Sequence, residues 1–157
     1  MRKGLARRHG GQSMVEFAVL APVFFMLLLG TIDLGRAVYI YNSISDAARE
    51  GARAAIPFDS PLPSNGTVVA AVQSKLGGGF SLQTDPCAGQ AVGANCPTTP
   101  TQPNTGYIWY GPGIGTPGRG TIQVKISFLF QPWIPVVRDA SGNGVMISAE
   151  SSMVTEY

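Results

Sequence analysis

Histidine is nearly missing from this chain: His9 is the single copy among 157 residues, and it lies inside a basic N-terminal arm. The body of the chain therefore lacks the commonest general base. Only two cysteines, Cys87 and Cys96, are present, so no Cys/His set of zinc-finger spacing can form. Acidic residues are few and dispersed; Asp85, Asp139, Glu150 and Glu156 make no convincing pair. Catalysis, a resident metal and a bound cofactor are accordingly not expected. Charge is thin throughout, at 13% of residues, and between positions 17 and 32 there is none.

What is present in that uncharged region is a long apolar run. Residues 14–32 number about 19, enough at 1.5 Å per residue to cross a hydrocarbon core of about 30 Å. Before it stand Arg2, Lys3, Arg7 and Arg8, which account for the net charge of +2. A basic arm can contact nucleic acid, but directly before an apolar helix it sets topology, with Lys and Arg kept on the cytoplasmic side. The expected orientation is N-terminus inside and the remaining chain outside, with no nucleic-acid partner. No small-x-small cleavage signal follows the run, which passes straight into Asp33-Leu34-Gly35-Arg36, so a secretory signal peptide is disfavoured. Pro22 lies within the run, where it frees a carbonyl and is expected to kink the helix.

One residue in this region demands a reason. Glu16 sits just inside the apolar boundary, where an acidic side chain costs up to about 2.5–3.5 kcal/mol at the bilayer centre and less near an interface. A passive anchor, with Glu16 reaching back to the interface, has no need of it.

The helical pattern continues beyond the span through Leu34, Ala37, Val38, Tyr41, Ile44, Ala48 and Ala55, at spacings of three and four, until Pro57 ends it. A helix over 12–56 would be roughly 65 Å long, so its second half must stand outside the bilayer. Ala47, Gly51 and Ala55, with Ala48 and Ala52 beside them, form a small-residue ladder that allows close backbone approach, most simply to the protein's own domain. Residues 67–76 read as a second helix, capped by Thr67 and stopped by Gly77-Gly78-Gly79. Strands are predicted over 80–84, 107–110, 121–130 and 145–155. In the third of these, Ile122, Val124, Ile126, Phe128 and Phe130 occupy one face. The region 57–157 is thus expected to be a small exported domain. The whole chain is of the α+β class: a long N-terminal transmembrane helix continues into a domain whose antiparallel β-sheet packs on that helix. In an oxidising compartment Cys87 and Cys96 are expected to pair, closing a loop of about ten residues worth roughly 2.5–3 kcal/mol in the chain-entropy account.

Gly11 followed by Glu16, after a basic leader and before an apolar helix, resembles the processing site of type IV prepilins. The resemblance implies cleavage after Gly11 on the cytoplasmic face, with Gln12 as the new first residue. Gln12-Ser13-Met14-Val15-Glu16-Phe17-Ala18, with Pro22 following, is similar to the start of the TadE-like family. So are Asp46-Ala47-Ala48-Arg49-Glu50-Gly51-Ala52-Arg53 and the C-terminal Ala149-Glu150-Ser151-Ser152-Met153-Val154-Thr155-Glu156. That family resemblance implies a minor pilin or pseudopilin of the tight-adherence (Flp) pilus, active in assembly or adhesion. Its implied partners are a prepilin peptidase, other Tad pilins, the inner-membrane assembly platform and the lipid bilayer. Its implied place is the bacterial inner membrane, single-pass, with possible passage into the pilus. Gln12 stands where classical pilins usually carry phenylalanine or methionine, and Phe17 where major Flp pilins typically have tyrosine. Within the resemblance Glu16 would pair with the new amino terminus during assembly. The competing reading is an uncleaved, membrane-anchored binding protein that uses the Cys87–Cys96 loop with Tyr107, Trp109 and Tyr110.

Overall fold

The computed structural model describes residues 11–56, 62–76, 79–84, 99–111, 114–115, 119–142 and 144–156. Helix α1 spans Gln12–Ala54 without a break, through Pro22, and is about 65 Å long. It is followed by α2 (Asn65–Leu76), β1 (Ser81–Thr84), β2 (Thr105–Tyr110), β3 (Arg119–Phe130), α3 (Pro135–Ala140) and β4 (Val145–Glu156). The strands form one sheet in the order β1-β2-β3-β4. The α+β class is as expected.

The sheet is mixed, whereas an antiparallel one was expected: β1 runs parallel to β2, with Ser81 opposite Thr105. A parallel pair needs a crossover of a dozen residues or more, and the connection between Thr84 and Thr105 is long enough to supply it. The other pairings are antiparallel, and β3 and β4 are matched from Arg119↔Glu156 to Phe130↔Val145. Alternation along β3 buries Ile122, Val124, Ile126, Phe128 and Phe130, the face read from sequence. Ile108 of β2 and Ala149 of β4 extend that face on either side.

Against it lies the second half of α1. Ile40, Ile44, Ala47, Ala48, Ala52 and Ala55 enter the core together with Val68, Val72 and Leu76 of α2. The apolar stripe expected on α1 therefore divides. Ala37, Ile44, Ala48 and Ala55 face the domain, while Leu34, Val38 and Tyr41 point away and stay exposed. The inward face runs through Asp33, Ile40, Ala47 and Gly51 instead. A pattern at three- and four-residue spacing is wide enough to serve two sides of a helix, and only packing decides which side is covered.

Helix α2 starts two residues before the expected Thr67. Ser64 is its cap: the Ser64 hydroxyl accepts from the Thr67 amide at 3.3 Å, and Thr67 Oγ1 accepts from the Ser64 amide at 3.4 Å. This reciprocal arrangement works as a capping box with threonine in the third position. The small-residue ladder sets how closely α1 and α2 approach. A β-carbon at Gly51 would stand 2.5 Å from Val72 Cγ2, 3.4 Å from Val124 Cγ1 and 3.5 Å from Val68 Cγ1. Gly35, on the same helix, has nothing within 4 Å. Gly51→Ala is expected to lose stability, because overpacking of about 1–3 kcal/mol outweighs the helix-propensity gain of up to about 1 kcal/mol. Gly35→Ala retains only the gain, so the unfolding midpoints of the two variants in detergent should move in opposite directions.

Candidate functional site

The residues singled out from sequence lie mainly on the first turns of α1. Gly11 occupies the N-cap position, with no side-chain cap, and no acidic residue falls in the first turn. Gln12 and Glu16 lie one turn apart, and the Gln12 amide Nε2 donates to Glu16 Oε1 at 3.3 Å. Residues 11–20 are all exposed, so Glu16 has no partner from the α+β domain among the described residues. From Met14 to Ile32 the large apolar side chains are uncovered as well, with Phe17 at 69% and Leu27 at 68% exposure. This is the one helix among the described residues long and apolar enough to cross a membrane, which points to single-pass anchoring. The α1 helix continues through Pro22, whose missing N–H leaves the Ala18 carbonyl without its helical donor. Cys87 and Cys96 lie outside the described residues, and so does their expected disulfide.

The structure adds a constellation not anticipated from sequence, where the span meets the domain. Asp33 is the first charged residue beyond the uncharged run and is 7% exposed. Its Oδ2 accepts from the backbone amides of Trp133 at 2.8 Å and Ile134 at 3.1 Å. Its Oδ1 accepts from Arg36 Nη1 at 3.0 Å. The Arg36 guanidinium lies 3.9 Å from the centroid of the Trp133 ring and 5.1 Å from that of Phe130. One carboxylate thus fastens the lead-in to α3 from the other end of the chain and holds the cation that stacks on Trp133. Pro135 follows at the start of α3, where its missing N–H costs nothing. Pro132 and Pro135 flank Trp133 and Ile134, just past the end of β3. The available signal was the Asp33/Arg36 spacing immediately after an uncharged run, together with a tryptophan between two prolines.

Of the aromatics assigned to a ligand-binding alternative, Trp109 is buried at 4% exposure, while Tyr107 and Tyr110 are half-buried. Trp109 meets Tyr107 edge-on at 5.8 Å, and its indole N–H has no acceptor among the described residues. Trp109 stands on the sheet face away from α1, opposite Lys125, and at its low exposure it offers little stacking surface to a ligand.

Residues 11–53 match the family described as TadE-like protein. Over these residues the chain is similar to that family. The match covers the whole exposed span, Glu16, the Asp33/Arg36 pair and most of the small-residue ladder, and it points to a Tad-pilus-associated protein. No curated protein and no solved structure matches the chain.

Removal of the Asp33 carboxylate should release α3. Asp33→Ala leaves the Trp133 and Ile134 amides without their acceptor, at a cost of roughly 1.5–3 kcal/mol for hydrogen bonds to a charged group. Asp33→Asn keeps one acceptor and should lose less. Hydrogen exchange at residues 133–141 checks this: exchange should quicken there while β3 protection is retained.

Proposed function

We propose that this chain is a minor pilin or pseudopilin of the tight-adherence (Flp) pilus system, processed after Gly11 and acting in assembly or adhesion without substrate turnover. Before processing it is a single-pass protein of the bacterial inner membrane, with its basic leader cytoplasmic and its α+β domain outside. The observation that carries the reading is an uncovered apolar helix, matched to the TadE-like family, with a carboxylate in its second turn. Lipid can cover Phe17, Leu27 and their neighbours, but it offers Glu16 no countercharge. Cleavage after Gly11 would create a positive amino terminus at Gln12, one helical turn from Glu16. Residues at that spacing are neighbours on the helix surface, so the pair can form within one chain or between adjacent chains. Pro22 would kink the helix and adjust how neighbouring spans pack.

The outward stripe supports the same reading. Leu34, Val38 and Tyr41 are 66%, 51% and 51% exposed, and they continue the uncovered side of the span past the membrane boundary. In a filament whose shaft is built from such helices, a neighbouring subunit covers both. The implied partners are a prepilin peptidase, other Tad pilins and the assembly platform.

Gly11 offers a clean test. A β-carbon there meets nothing within 4 Å, so Gly11→Ala has no steric reason to disturb the fold. Intact mass and N-terminal sequencing of protein from native membranes should find the unaltered chain starting at Gln12 and the Gly11→Ala chain retaining its leader. An unaltered chain that keeps its leader, in cells with active prepilin peptidase, would refute the reading. Glu16→Gln tests the second element. Processing should stay near the unaltered level while recovery of the subunit in sheared filaments collapses; normal recovery would remove Glu16 from assembly.

A further inference from the structure

Between β3 and β4 the chain leaves the sheet to form a short excursion that buries Pro132 and Ile134 and leaves the side chains around them outside the core. No residue of α3 is buried. Trp133 is 64% exposed and Val136 60%, with Val137 close behind. Three large apolar side chains exposed within five residues are more than a water-facing surface has reason to keep.

Their position along α1 says what covers them. The Asp33 carboxylate fastens the Trp133 and Ile134 amides to α1 one residue past the end of the uncharged run. Ile134 reaches back further: its Cδ1 lies 3.7 Å from where a β-carbon on Gly30 would be. The start of α3 is therefore level with the last turn of the apolar span. With 14–32 across the hydrocarbon, that level is the outer membrane–water interface, where tryptophan is enriched. Leu29 and Ile32, in the same last turn of the span, are exposed as well.

We propose that residues 131–140 form a foot that rests on the outer leaflet, with Trp133, Val136 and Val137 entering the headgroup region of the bilayer. The inference relies on the membrane-anchored reading of α1 and adds a second point of lipid contact to it. The cations here are already neutralised: Arg36 pairs with Asp33 at 3.0 Å and Arg138 with Asp139 at 3.5 Å. Attraction to the surface is therefore apolar and aromatic, and it should respond little to salt or to the share of anionic lipid. The foot would fix the tilt and rotation of the exported domain above the membrane, because two contacts define an orientation where one helix leaves it free.

Depth-resolved quenching tests this on the full chain in phosphatidylcholine vesicles at high lipid-to-protein ratio. The emission lost in Trp133→Phe isolates Trp133, and the buried Trp109 remains as an internal reference. Trp133 emission should be roughly twofold more quenched by a nitroxide near the lipid carbonyls than by one at the acyl terminus, as for an interfacial aromatic. Iodide should quench it only weakly, and part-replacement by phosphatidylglycerol should change neither result. A companion variant, Phe24→Trp in the Trp133→Phe background, reports on the middle of the span and should be quenched most by the acyl-terminal nitroxide. If Phe24→Trp behaves so while Trp133 responds to iodide alone, the foot is refuted and the membrane span stands. If Trp133 responds to no quencher, a protein surface covers it, and the foot is likewise refuted. If neither position responds to lipid quenchers, the membrane reading itself fails and takes the foot with it.

Discussion

The distance between α1 and the rest of the domain is set by side chains too small to keep them apart. Ala47, Ala48, Gly51, Ala52 and Ala55 line the inward face of α1, and at Gly51 the missing β-carbon is replaced by Val72, with Val68 and Val124 around it. Because α1 is thin on that side, two layers can reach it at once: α2, and the sheet through Ile122, Val124 and Ile126. A domain of about a hundred residues has little core to spare, and here the core is centred on the helix that also carries the membrane span. Separated from that helix, the sheet would expose its entire apolar face. The span and the domain are thus one folding unit, and movement of one must carry the other.

The same helix meets two surroundings, and Asp33 marks where they change. Below it no residue of the uncharged run is buried; above it, residues of the inward face are buried at nearly every turn. A carboxylate at 7% exposure is costly unless its acceptor capacity is filled. Two amides and a guanidinium fill it. The Arg36 guanidinium is itself held over Trp133, so the cluster is satisfied without bulk water on its inner side. A charge that could have ended the apolar run and nothing more also fastens the entry to α3.

Much of this architecture was legible from local pattern. The β3 face, the β4 run, the ends of the second helix to within two residues and the length of α1 follow from alternation, glycine breaks and proline stops, all short-range signals. The α+β domain's attachment to its own small-residue ladder was legible as well, since Ala47, Gly51 and Ala55 can admit a neighbour only at close range. What escaped depends on partners far along the chain. Asp33 and Trp133 are a hundred residues apart, so α3 could not be foreseen from a segment that holds two prolines and no cap of its own. The direction of β1 depends on where a long connection returns, which no periodicity encodes. Which of Leu34 and Ile40 faces inward depends on the sheet that arrives later. At the proposed processing junction the residue types Gly11, Gln12 and Glu16 stand on exposed turns of α1, so the chemistry proposed there rests on the sequence itself.

If the chain is a pilus subunit, its departure from the bilayer is a problem of replacing contacts. Every large apolar side chain from Met14 to Ile32 is exposed in the isolated chain, so the lipid around it can be surrendered only as neighbouring helices take its place. Glu16 favours the exchange, since a carboxylate is poorly served by hydrocarbon and better served by an amino terminus. The outward stripe of Leu34, Val38 and Tyr41 favours it too, being uncovered in water and coverable by a neighbour. A foot at Trp133 opposes it: as long as α3 lies on the membrane surface, it retains the subunit there. Because Asp33 ties α3 directly to α1, the foot cannot remain behind when the helix rises, and its lipid contacts must break in the same step. A subunit built this way waits in the membrane until neighbouring helices offer more contact than the lipid does, and no part of it leaves separately.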